Sequence, residues 1–85
     1  MPYIPLKDRK RFDYDISNLN KEINTSGELN YVISCLANSL VDRLGGRYDN
    51  HNTVIGVLEC AKLEMYRRRT GPYEDNAIAR NGDIQ

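Results

Sequence analysis

The chain has no tryptophan, one phenylalanine, one histidine and two cysteines in 85 residues. A lone His51 with the distant Cys35 and Cys60 cannot supply the three or four ligands of a zinc site, and two cysteines do not make a disulfide scaffold. An excess of one charge is missing too. Twelve basic and twelve acidic residues cancel, which argues against the bulk positive field of a general nucleic-acid binder. No apolar run approaches the ~20 residues of a membrane span. The opening Met1-Pro2-Tyr3-Ile4-Pro5 has neither the pattern of a secretory signal nor that of an acylation site. The expectation is a cytoplasmic protein without a membrane partner.

Catalytic constellations are scarce as well. Gly45-Gly46-Arg47 lacks the following Lys-Ser/Thr of a phosphate loop. Glu59 and Glu64 are five residues apart, which places them roughly 140° apart round a helix, so they cannot hold magnesium as a one-face acidic pair. Cys60 has no basic residue four positions away on either side. It reads, like Cys35, as a small buried hydrophobe and not as an activated thiolate. The expectation is a protein that is not an enzyme and carries no metal or cofactor.

What the chain does have is helical periodicity. Twenty residues are Leu, Ile, Val or Phe, enough for a small folded domain. Phe12, Ile16, Leu19 and Ile23 recur at one-face helical spacing and predict a first helix over 8–23. Thr25-Ser26-Gly27-Glu28 is a capping box, opening a second helix over 25–44 that carries Leu29, Val32, Ile33, Leu36, Leu40, Val41 and Leu44 and stops at Gly45-Gly46. A third, over 52–70 with Asn50 or Asn52 as cap, should end at Gly71-Pro72. A short fourth, over 72–80, starts on Pro72 and stops at Asn81-Gly82. Tyr73 and Ile78 are its expected anchors. The fold class is therefore all-α: one domain over 1–85, a small bundle of three main helices plus a short C-terminal helix.

The third helix has two apolar faces. Opposite its main face lies a narrow stripe of Gly56, Cys60 and Leu63. Three helices of this length cannot cover both, so either the fourth helix folds onto the stripe or a homo-oligomer buries it. The oligomer is the expected solution, with Gly56, Cys60 and Leu63 at the subunit contact.

The net zero charge hides an uneven distribution. Residues 1–11 sum to +3, residues 12–66 to −4 and residues 67–85 to +1. Lys7, Arg9, Lys10 and Arg11 lie at one end of the first helix, and Arg67, Arg68 and Arg69 close the third, where cations also favour the helix dipole. Lys62 and Arg69 fall within the third helix's apolar arc, where an Arg wants a carboxylate or an anion; Asp13, Asp15, Glu74 and Asp75 are the candidate partners. Six tyrosines stand mostly at segment ends, where an aromatic face with one wet side suits an interface or a stacked base.

Several blocks resemble a known family: Met1-Pro2-Tyr3-Ile4, Gly27-Glu28-Leu29-Asn30-Tyr31-Val32-Ile33, Gly56-Val57-Leu58-Glu59-Cys60-Ala61-Lys62-Leu63-Glu64 with Tyr66-Arg67-Arg68, Pro72-Tyr73-Glu74-Asp75 and Asn81-Gly82-Asp83. The chain looks like the small uncharacterised proteins of tailed phages and scattered prokaryotes classed as a domain of unknown function. The resemblance implies a stand-alone cytoplasmic protein, often phage-borne, and carries over no functional residue. It departs at Arg69-Thr70-Gly71, where a more apolar approach to the Pro-Tyr-Glu-Asp block is expected.

Two functions follow. In the first, an oligomer sequesters an anionic nucleotide, such as a cyclic nucleotide immune signal, as an anti-defence sponge. Arg67, Arg68 and Arg69, with Arg9 and Arg11 of a second chain, meet phosphates, while Tyr66, Tyr73 or Tyr3 stack on bases. In the second, a Tyr-rich surface docks on a host protein with no small-molecule ligand.

Overall fold

The computed structural model describes residues 1–85, and its backbone is helical with no strand. The elements are α1 (Leu6–Glu22), α2 (Ser26–Leu44), α3 (Tyr48–Met65), a π-helical turn (Tyr66–Thr70) and α4 (Gly71–Asn81). The chain divides into an N-terminal unit, Pro2–Val54, and a C-terminal unit, Ile55–Gln85, which also takes in Met1.

In the N-terminal unit, Pro5 holds φ at −53° just before α1, and its carbonyl accepts the Asp8 N–H at 2.9 Å. The helix thus opens at Leu6, two residues ahead of the expected Asp8. The capping box of α2 forms in full. Thr25 Oγ1 accepts the Glu28 N–H at 3.1 Å, and Glu28 Oε1 accepts the N–H groups of Thr25 and Asn24 at 3.1 and 2.8 Å. At the far end the chain reverses on Gly45 and Gly46, with φ of 128° and 68°, values that side chains rarely tolerate. The Gly46 N–H closes the turn on the Val41 carbonyl at 2.9 Å.

Asn50 or Asn52 is expected to cap α3 from in front, but α3 begins at Tyr48, ahead of both. Asn50 lies inside the first turn, and its Oδ1 reaches back to accept the Arg47 N–H at 3.0 Å. It does what the glutamate of a capping box does, so the cap signal marked the inside of the turn.

The expected stop at Gly71-Pro72 is also absent. Thr70 and Gly71 keep right-handed helical dihedrals, and the backbone runs helically through the π turn into α4. Pro72 has no N–H and its ring presses on the carbonyl four residues earlier. A π turn relieves that crowding by shifting the bonding to i→i−5, seen here as the Gly71 N–H donating to the Tyr66 carbonyl. A Cβ at position 71 would sit 3.3 Å from that same oxygen. A larger residue there would have to push that oxygen aside by a few tenths of an ångström.

Packing departs most from expectation. The only buried residues are Val41 and Val54, at 7% and 5% exposure, both in the N-terminal unit near the turn between α2 and α3. Neither unit has any further core. Leu36 is 64% exposed and Ile55 63%; Cys35 and Cys60, expected to be buried, are both exposed. The physical reason is the width of the apolar arcs: a helix that is apolar over half its circumference needs neighbours on two sides, and one chain supplies too few. The expected anchor Tyr73 is 69% exposed and Ile78 is also exposed, because α4 prolongs α3 instead of folding back on it. No helix is long and apolar enough to cross a membrane.

Candidate functional site

The C-terminal unit carries most of the residues expected to bind a ligand. Tyr66, Arg67, Arg68 and Arg69 make up the π turn with Thr70, and Tyr73 and Glu74 follow in the first turn of α4. Consecutive side chains on a helix fan out by about 100° each. A π turn narrows that step but still spreads three of them over roughly half the circumference. The three arginines therefore do not converge. Arg67 is held by its own helix, Nη2 to Glu64 Oε1 at 2.7 Å.

Lys62 and Arg69, expected on a buried face, are exposed, and Lys62 pairs with Glu59 at 2.9 Å. The arc they interrupt is itself uncovered, so neither charge loses its water. Glu74, a candidate partner for Arg69, accepts the hydroxyl of Tyr66 instead. That bond follows from the π turn. Eight residues of regular α-helix would leave Tyr66 and Glu74 about 80° apart; absorbing one residue brings them close to two full turns, on the same face. The bond holds the Tyr66 proton, and the neighbouring carboxylate charge adds to it, so Tyr66 titrates above the usual tyrosine value. No pattern in the sequence flags this pair.

The C-terminal unit also has a groove of about 370 Å³, lined by Glu74, Ala77, Ile78 and Asp83 among others. Its two carboxylates suit it poorly to a phosphate.

In the N-terminal unit, Tyr3 and Arg9 line one groove of about 270 Å³ with Ile4, Phe12, Asp13 and Ile16. Arg9 Nε donates to the Ile4 carbonyl at 2.8 Å, folding the N-terminal segment onto α1. Arg11 lies over the ring of Phe12, 4.8 Å from its centroid, a cation–π contact. On α2, Tyr31 also titrates above its usual value because its hydroxyl bonds Cys35 and feels that group's charge.

Gly56, Cys60 and Leu63 remain uncovered on α3. Nothing lies within 4 Å of a Cβ built at Gly56, Cys60 is exposed, and Leu63 is exposed too.

Fold and surface define an all-helical chain whose apolar faces are largely open within each unit and whose π-turn arginines fan out round their helix. The chain matches the family described as "Domain of unknown function (DUF6899)" over residues 1–84 and belongs to it. No curated protein and no solved structure matches it.

Proposed function

We propose that this protein is a non-catalytic cytoplasmic binding protein whose working surface is a protein–protein contact, made first between copies of the chain. The observation that carries this is the open apolar surface. Val41 and Val54 alone are buried, while leucines, isoleucines and tyrosines of every long helix are exposed. Apolar patches of this extent mark interaction surfaces.

Light scattering at micromolar concentration is expected to give a mass of two chains or more. A monodisperse species of 9.8 kDa would overturn the reading.

The nucleotide-sponge reading has one observation of its own. Tyr3 and Arg9 share a groove, and Arg68 and Arg69 are exposed on the π turn, where a second chain could add to them. Calorimetry against cyclic di- and trinucleotides is its test. Binding that weakens at least about tenfold in Arg68→Ala or Arg69→Ala, as loss of a charge-assisted contact does, supports it; silence across the panel removes it. If the protein is phage-borne, the first reading has it docking on a host protein and the second draining a host immune signal.

A further inference from the structure

We propose that the polar face of α1 is a docking strip for a single-stranded nucleic acid, its cations following the phosphates and Tyr14 stacking on a base. The proposal goes beyond both readings above, because it needs neither a second copy of the chain nor the π turn.

At about 100° per residue, Lys7, Lys10, Arg11, Tyr14, Asn18 and Lys21 fall within about 50° of one line along α1, and all six are exposed. From Lys7 to Lys21 the strip runs about 21 Å. No carboxylate stands in it. Asp8, Asp13, Asp15 and Glu22 lie about 70° to 110° round the helix. Lys7, Lys10 and Lys21 make no ion pair with them; the salt bridges Lys62–Glu59 and Arg67–Glu64 belong to α3 and the π turn.

This placement works against the helix itself. Lys7, Arg9, Lys10 and Arg11 crowd the first two turns of α1, at the end where the backbone dipole is already positive. Lys7 with Lys10, and Lys7 with Arg11, are like-charge neighbours three and four residues apart, an arrangement that destabilises a helix. An anionic partner turns the same repulsion into attraction. The balanced net charge excludes a bulk positive field, not a local strip of this kind.

The composition of the strip selects nucleic acid among polyanions. Single-strand binders combine cations that track the phosphates with aromatic faces on which bases stack. Tyr14, 75% exposed, stands between the Lys10–Arg11 pair and Lys21. Asn18, one turn further on, offers a donor and an acceptor to a base edge. An anionic membrane fits worse. A helix lying on one carries its cations beside the apolar face. Here carboxylates stand between the strip and the apolar face of Phe12, Ile16 and Leu19, where they would meet lipid phosphates.

Fluorescence anisotropy with labelled oligo-dT and oligo-U at low salt tests the strip, and tighter binding of one tells DNA from RNA. Binding should weaken with salt at a log–log slope of about −3, as four cations on a single strand require. Lys10→Gln with Lys21→Gln should roughly halve that slope and weaken binding at least about tenfold. Tyr14→Ala should keep the slope yet weaken binding at least about fivefold. Glutamine keeps helix propensity close to that of lysine, and circular dichroism checks that each variant folds. No binding to either strand overturns the proposal, as does a slope unchanged in the double lysine variant. Binding to phosphatidylserine vesicles or to poly-glutamate as tight as to the oligonucleotides overturns it too.

Discussion

Tyr66 and Glu74 show how one residue pair reports on the backbone between them. The hydroxyl of Tyr66 donates to the carboxylate of Glu74, and the folded state raises the tyrosine's titration above its ordinary value near 10. A group whose pKa is raised by folding contributes stability that is complete below the unfolded pKa and fades as pH climbs through the folded one. The contribution should thus be intact at neutral pH and lost only in alkaline solution above about pH 10. Ultraviolet titration should show a late-ionising tyrosine that Tyr66→Phe removes and Glu74→Gln moves back toward the ordinary range. A Glu74→Gln profile matching wild type would show that the pair is not formed.

At the scale of elements, two termini control the helices. The capping box of α2 is complete on both sides, so Thr25→Ala should cost about 1 kcal/mol, read as a lower melting temperature at fixed protein concentration. The π turn is the other control point. Pro72→Ala restores an N–H for the Arg68 carbonyl and removes the ring that crowds it, so the turn can revert to α-helix. Stability should rise, by up to ~3 kcal/mol, yet Tyr66 should return toward ordinary titration because the face shared with Glu74 is lost. A Pro72→Ala variant in which Tyr66 still titrates late would mean that proline is not what widens the turn.

At the scale of the whole molecule, two buried valines cannot offset the ordering of 85 residues, since each costs ~1–2 kcal/mol of backbone entropy alone. On the proposed reading the balance comes from contact between copies of the chain, and association obeys mass action. The melting temperature should fall with each tenfold dilution, followed by circular dichroism from hundreds of micromolar downward. A midpoint independent of concentration would point to a self-sufficient monomer.

The helical class, the α2 capping box and the double-glycine reversal are all legible in the sequence, because each depends on residues within a few positions of one another. Side-chain spacing, a Thr-x-x-Glu pair and two adjacent glycines act locally, whatever the chain later packs against. The fate of Gly71-Pro72 is different. The same dipeptide that ends a free helix is carried inside one here, and the choice between a stop and a π turn rests on whether the flanking segments stay helical. One further outcome was open to no local rule, Tyr66 finding Glu74; the spread of three consecutive arginines follows from helix geometry alone. Cys60, Tyr73 and the α2 leucines were given to the inside by their hydrophobicity, but hydrophobicity states only that a surface seeks cover. Which neighbour covers it depends on what the three-dimensional arrangement brings near, and within each unit few apolar side chains are covered.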